Sequence, residues 1–279
     1  MTIRIVTDST CDLPSSLAEA HGITVLPTYV NVGRQSFLDG VDLTRAEFYE
    51  RLPQYNRPPT TAAPAVGAFS TVYEKLAQEG ATHVLSIHLA SSLSGLCNAA
   101  RLGAQAAEGI EVTVFDSQQV SMGLGFMALS AARAAQAGAT MSQIISALQE
   151  QVRRTHVFAL LDTLEYLRRS GRVSRTEFGL GTLLRIKPLM HVHEGKVKSL
   201  EKVRTHSKAL AQLLQYVADL GPLREVALLH TANDEGGLLL RQEASHLFPA
   251  EYEPVSVEVT PTIGAHVGPG ALGIACVVD

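Results

Sequence analysis

The hydrophobic and polar positions of the first half of the chain alternate between strand-like and helix-like runs. The apolar run His83–Leu89 leads into Ala90–Gly95, a turn with three serines and a glycine, and then into the small-residue run Asn98–Ala107. This order predicts a strand, a polar turn and a helix. Because a helix N-terminus offers free N–H groups and a partial positive charge, the turn could hold a phosphate or a carboxylate. The alternative is that Ser91 or Ser92 only caps the helix.

Two other segments repeat this design. Ile3–Val6 leads into the polar turn Thr7–Asp12, and Val112–Phe115 leads into Asp116–Gln119 and a helix that starts at about Ser121. Three strands of one parallel sheet would bring all three turns to its carboxyl-terminal edge, where open α/β sheets bind ligands. The pattern therefore favours a site over three unrelated caps.

The alternation ends near residue 155, which predicts two domains with the boundary there. Residues 1–155 are predicted to form a three-layer α/β/α domain with a mostly parallel sheet, including a strand over Ile23–Val32. Residues 156–279 are predicted to form an α+β domain with antiparallel pairing, including a hairpin over Met190–Val203 that turns at Glu194-Gly195. The expected fold class is therefore α/β.

Composition excludes several classes of protein. The 279 residues are 46% hydrophobic and carry a net charge of −4 with no basic run, so a nucleic-acid partner is not expected. No apolar run is long enough to span a membrane and no signal peptide is visible, so a cytoplasmic protein is expected. The three cysteines, Cys11, Cys97 and Cys276, suggest neither a disulfide framework nor a zinc site.

Histidines provide a second candidate site. His266 lies in the Gly- and Pro-rich segment Pro261–Gly273, which predicts a loop of specified shape around it. His191 and His193 alternate along one strand with no third ligand visible, so they are interpreted as strand-face residues and no metal site is predicted.

These segments together resemble the DegV family, which includes the fatty-acid-binding FakB subunits of bacterial fatty acid kinase. The resemblance covers essentially the whole chain and rests on eight motifs in order. They are Val6–Pro14, Pro59–Thr61, Ser91–Gly95, Asp116–Gln118, Ser121–Gly125, Tyr166–Arg172, Ile186–Pro188 and Gly264–Gly270. It implies a tunnel between the two domains that holds a long-chain fatty acid, with no cofactor. It also implies a separate ATP-binding kinase subunit that phosphorylates the carboxylate to an acyl phosphate for phospholipid synthesis.

The resemblance also assigns roles to residues. It implies that the fatty-acid carboxylate is bound by two short polar segments and a histidine, namely Thr60, Thr61, Ser94, Gly95 and His266. Arg172 would lie near the head group, and Arg204 would help to present it to the kinase. Hydroxyls and an imidazole suit this task, because they bond a carboxylate without burying a full opposing charge. Ala62, Leu96 and Cys97 depart from the common family pattern, so chain-length preference is not transferred.

Two other functions would each need a sequence motif of their own. A serine hydrolase could use Ser94 as nucleophile and His266 as base, but Ser92 and Leu96 stand where a Gly-x-Ser-x-Gly elbow needs glycines. Phosphoryl transfer by the chain itself would need a phosphate cradle such as GxxxxGK[ST], and the fragments Gly123–Gly125 and Gly179–Gly181 are too short to form one. The expectation is therefore a carrier rather than an enzyme.

Overall fold

The computed structural model describes residues 2–173 and 186–279. The Gly179–Gly181 fragment noted above lies outside these residues. The described strands are β1 Ile3–Asp8, β2 Ile23–Leu26, β3 Tyr29–Val32, β4 Gln35–Leu38, β5 Thr60–Ala62, β6 His83–His88, β7 Glu111–Asp116, β8 Thr155–Leu160, β9 Lys187–His193, β10 Lys196–Val203, β11 Leu223–His230, β12 Val255–Glu258 and β13 Leu272–Val278. The described α-helices are α1 Ser15–Ala20, α2 Arg45–Arg51, α3 Val66–Gln78, α4 Leu96–Ala106, α5 Met122–Gln136, α6 Met141–Arg154, α7 Glu165–Ser170, α8 His206–Ala218, α9 Asp234–Ala244 and α10 Pro261–Val267.

The first sheet is parallel and has the order β2-β1-β6-β7. Strand β6, one of its two inner strands, is buried on both faces, because Val84, Leu85 and Ile87 are all inaccessible to solvent. Helices α3 and α4 pack against each other and against β6, whereas α5 packs on β1 and β6. This confirms the predicted α/β fold class with a mostly parallel sheet.

The second large sheet is mixed and has the order β10-β9-β8-β13-β11-β12. All its pairs are antiparallel except β11 with β12. The predicted hairpin is confirmed: Glu194 and Gly195 both have positive φ, as a tight two-residue turn requires. Helix α5 also contacts β8 and β13, so it lies between the two sheets, and α8 and α9 pack on strands of the second sheet.

The prediction of one strand over Ile23–Val32 is wrong. Pro27 and Thr28 interrupt it, so β2 joins the parallel sheet whereas β3 forms a separate small sheet of order β4-β3-β5. Proline has no N–H to donate, which favours a break in the strand at this point. The small sheet matters for the site because β5 carries Thr60 and Thr61.

The prediction that Pro261–Gly273 is a loop around His266 is also wrong in part. Residues 261–267 form helix α10, with Pro261 at its first position and His266 in its last turn. The chain leaves the helix through Gly268 and Gly270, whose φ values of 78° and 81° favour glycine. The position of the domain boundary near residue 155 stays a prediction, although α6 does end at Arg154.

Candidate functional site

A cavity of about 340 Å³ lies between the parallel sheet and the six-stranded sheet. Its walls are mostly apolar and come from both halves of the chain. They include Leu89, Leu93, Leu96 and Val120 from the first half, and Val157, Ala159, Met190 and Val192 from the second. A volume of this size is at the lower end of the roughly 300–1,000 Å³ typical of small-molecule sites. The shape and chemistry suit an apolar ligand.

Thr61 and His266 form a polar contact in this cavity. The Thr61 Oγ1 lies 2.9 Å from His266 Nε2, and both residues line the cavity. Burial, together with the nearby positive charge of Arg172, lowers the pKa of His266 to about 4. The imidazole is therefore neutral near pH 7. Its Nδ1 is buried and has no hydrogen-bond partner among the described residues.

The first turn of α4 provides the next part of the site. Ser94 and Gly95 line the cavity, and Gly95 is the N-cap of α4. The alternative, that Ser91 or Ser92 only caps this helix, does not hold. The Ser91 hydroxyl bonds to Asp116, and the Ser92 hydroxyl donates to the Gly195 carbonyl at 2.5 Å. The Ser94 hydroxyl oxygen instead faces the Leu96 N–H at 3.4 Å. The positive end of the helix thus faces the cavity.

Of the other predicted site residues, one lines the cavity and two do not. Arg172 is exposed and lines the cavity, which places it at the opening. Thr60 is exposed, pairs with Asn31 of β3 and does not line the cavity. Arg204 is exposed beyond the end of β10 and also does not line it. The structure therefore brings together Thr61, His266 and Arg172, with Ser94 and Gly95 in the same cavity.

Helix α10 is held in place by buried carboxylates. The Thr260 N–H donates to Asp12 Oδ1 at 2.7 Å, and the Thr260 hydroxyl donates to Asp39 at 2.6 Å. Burial raises the pKa of Asp12 to about 6, although the positive charge of Arg45 acts to lower it. Since Thr260 immediately precedes α10, these bonds fix the helix that carries His266.

Sequence reasoning missed several polar groups of the cavity. Thr28 and Thr262 line it and share a hydrogen bond of 2.6 Å, and His230 also lines it. Nothing in the spacing of Thr28 and Thr262 indicates this contact, because 234 positions separate them. Of the positions that depart from the family pattern, Ala62 and Leu96 line the cavity and Cys97 does not.

The structure contains a Ser-His-Asp arrangement at another place. His88 Nδ1 lies 2.8 Å from Asp8 Oδ2, and His88 Nε2 lies 2.7 Å from the Ser86 hydroxyl. All three side chains are fully buried, and Tyr73 bonds to the Ser86 hydroxyl from the other side. A nucleophile needs access to its substrate, so this arrangement is part of the core. His266 bonds to Thr61 rather than to Ser94, so the geometry does not support the hydrolase alternative.

Comparison with known proteins agrees with this architecture. The model of the DegV family, described as a family of uncharacterised proteins, matches residues 2–279. The chain belongs to the DegV family. Similar DegV proteins include a DegV domain-containing protein of Streptomyces coelicolor, 37% identical over 98% of this chain and 97% of the relative, and protein DegV of Bacillus subtilis, 33% identical over 98% of each.

Two solved structures of DegV proteins are also similar over their whole length. A DegV family protein from Thermus thermophilus, described as binding fatty acid, has a TM-score of 0.91 and 35% identity, with 100% of each chain covered. The Bacillus subtilis DegV, described as a fatty acid binding protein, has a TM-score of 0.90 and 32% identity, again with 100% of each chain covered. Within the described ranges of this DegV chain, no helix has both the length and the apolar character that a membrane span needs.

Proposed function

We propose that this chain binds one long-chain fatty acid, with the acyl tail in the apolar cavity and the carboxylate at the opening. The observation that carries the proposal is the Thr61–His266 pair, a polar contact of 2.9 Å within a cavity whose walls are mostly apolar. The fatty acids bound by the Thermus thermophilus and Bacillus subtilis relatives support the same ligand class.

The chemistry of the opening suits a carboxylate. With its proton on Nε2, neutral His266 donates to Thr61 Oγ1, and the Thr61 hydroxyl is then free to donate to the carboxylate. Ser94 supplies a second hydroxyl, and Arg172 adds a partly solvated positive charge near the same point. Each hydrogen bond to a charged group contributes roughly 1.5–3 kcal/mol.

The tail supplies most of the affinity. Each buried methylene contributes roughly 0.8 kcal/mol, so a tail of about sixteen carbons contributes on the order of 10 kcal/mol before the costs of ordering. A carboxylate held at the opening leaves its oxygens accessible from outside. We therefore infer that a separate kinase subunit transfers the γ-phosphoryl group of ATP to a carboxylate oxygen, releasing ADP and leaving an acyl phosphate. Arg172 and Arg204 would face that subunit.

A titration with matched ligands tests the carboxylate site. Delipidated protein is titrated by calorimetry with oleate and, in parallel, with methyl oleate, which has the same tail but no charged head group. We expect one molecule of oleate to bind per chain, at least tenfold more tightly than methyl oleate. Equal binding of the two ligands would contradict a role for Thr61, Ser94 and His266 in holding the head group, and binding of neither would contradict the function itself.

A further inference from the structure

Three histidines meet on the face of the second sheet that points away from the cavity. His156 lies on β8, and His191 and His193 lie on β9. The two strands pair with Val157 opposite Val192, and these two valines line the cavity. Because neighbouring side chains of a strand point to opposite faces, the three histidines share the other face. His191 and His193 are strand-face residues, as the sequence predicts, but His156 lies beside them as the third possible ligand that the sequence did not show.

The spacing of the ring nitrogens is close to that of a metal site. His156 Nδ1 lies 3.0 Å from His191 Nε2, and one nitrogen from each of the three rings lies within 4.8 Å of the others. A tetrahedral Zn²⁺ with Zn–N bonds of about 2.0–2.1 Å places its ligand nitrogens roughly 3.3 Å apart. An ion with bonds of about 2.0–2.1 Å to both nitrogens would lie beside the line that joins them. It would replace the hydrogen that His156 and His191 share, once the donating ring carries that hydrogen on its other nitrogen.

His193 has the hydrogen bond from its second ring nitrogen that a metal-ligating histidine usually has. Its Nδ1 lies 3.0 Å from the Thr155 carbonyl, so Nδ1–H donates there and Nε2 keeps a lone pair. The carboxylate of Glu194 lies 3.8 Å from that Nε2 and could supply a fourth ligand. The His193 ring now stacks on His156 with centroids 4.1 Å apart, so it must turn about its Cβ–Cγ bond to aim a lone pair at the ion. Its side chain is 27% exposed, which leaves room for that turn.

We propose that His156, His191, His193 and Glu194 form a binding site for Zn²⁺, separate from the fatty-acid cavity. Imidazole and carboxylate ligands suit a borderline divalent ion, whereas Mg²⁺ and Ca²⁺ prefer all-oxygen sites. Lys198, which pairs with His191 across β9 and β10, carries a positive charge that would repel the bound cation.

The position of the cluster indicates a structural role for the ion. Glu194 and Gly195 form the turn of the β9–β10 hairpin, and this turn rests on the parallel-sheet half of the chain. Gly195 N–H donates to the Gln118 carbonyl at 2.8 Å, and the Ser92 hydroxyl donates to the Gly195 carbonyl. An ion bound by Glu194 and the three histidines would link β8, β9 and this turn, next to the residues that line the cavity.

Zinc titration of the full-length protein tests the site. Protein treated with a chelator and dialysed is titrated with ZnCl₂ by calorimetry, and its Tm is measured with and without Zn²⁺. We expect one Zn²⁺ per chain, a higher Tm with zinc, and no competition from MgCl₂. Co²⁺ in place of Zn²⁺ should give the strong visible absorption of a four-coordinate ion.

Variants then assign the ligands. His193→Ala should weaken Zn²⁺ binding at least tenfold and remove the zinc-dependent rise in Tm, whereas Glu194→Gln should weaken binding less. His83→Ala is the matched control, since His83 also pairs with a carboxylate, Glu111 at 3.2 Å, but on the other sheet. His193 is half-buried, so circular dichroism should show an intact fold in its variant. The proposal is overturned if the parent protein binds no stoichiometric Zn²⁺, or if His193→Ala binds it as tightly as the parent.

Discussion

His266 Nε2 and Thr61 Oγ1 lie 2.9 Å apart although 205 positions separate the two residues in the chain. One comes from the last turn of α10 and the other from the short strand β5. Their contact joins the carboxyl-terminal helix to the small sheet at the cavity, so changes on either side should affect the same ligand.

The first prediction separates two adjacent threonines. Thr61→Val removes the hydroxyl that lies against His266 but keeps the shape of the side chain, and it should weaken fatty acid binding about tenfold or more. Thr60→Val changes an exposed side chain that does not line the cavity, and it should bind like the parent. Calorimetric titration with oleate measures both. Equal losses in the two variants would show that strand β5, rather than the Thr61 hydroxyl, is what matters.

The second prediction concerns pH. The folded pKa of His266 is about 4, below its ordinary 6.5, so between these pH values the unfolded chain binds a proton that the folded chain does not. Acidification through this window therefore lowers the free energy of unfolding, by about 1.4 kcal/mol per pH unit for one proton. His266→Gln removes this titration.

Urea unfolding of the ligand-free parent and His266→Gln proteins at a series of pH values checks this pH dependence. The stability of the parent relative to His266→Gln should fall as the pH decreases from 6.5 to 4 and should stay constant above 7. Parallel pH profiles for the two proteins would mean that His266 is not kept neutral by its surroundings.

The third prediction tests how closely α10 packs. A Cβ at Gly264 would lie 2.4 Å from the Tyr49 hydroxyl oxygen, which donates to the Val259 carbonyl at 2.8 Å. Gly264→Ala should therefore cost about 1–3 kcal/mol and lower Tm by several degrees. It should also weaken fatty acid binding, because α10 carries His266. In the control variant Gly67→Ala in α3, the added Cβ has no atom within 4 Å, so its Tm should be unchanged or slightly higher. Thermal unfolding of the two variants and the parent measures the difference.

Local pattern predicted much of the fold, because strand and helix periodicity are local properties. The β6–α4 and β7–α5 units and the Glu194-Gly195 turn all follow from neighbouring residues. The predictions fail where tertiary contacts decide. Helix α10 packs closely on Tyr49 at Gly264, which has no Cβ, and the local sequence pattern does not show this contact.

The site could be predicted only in part for the same reason. The polar turn around Ser94 is visible as a run of serines after a strand, and the family resemblance indicated Thr61 and His266. The partners of His266 and of His191 depend on which strands and helices become neighbours in space. His156 joins His191 only because β8 pairs with β9, and no spacing in the sequence encodes that pairing.

The fourth prediction separates binding from presentation. Arg204 is exposed and does not line the cavity, so Arg204→Ala should bind oleate normally. If Arg204 contacts a kinase subunit, the variant should form acyl phosphate several-fold more slowly when that subunit and ATP are supplied. An unchanged rate would remove Arg204 from the proposal. ATP turnover by the isolated chain would contradict the carrier role.

Identification of the lipid that accompanies the purified protein tests the central proposal most directly. A known amount of protein is denatured and extracted with organic solvent. Mass spectrometry then identifies and quantifies the lipid in the extract. We predict close to one long-chain fatty acid per chain, with much less in a Thr61→Val, His266→Ala double variant prepared in the same way. The absence of lipid from the parent, together with no binding of added palmitate or oleate, would contradict fatty acid binding by this cavity.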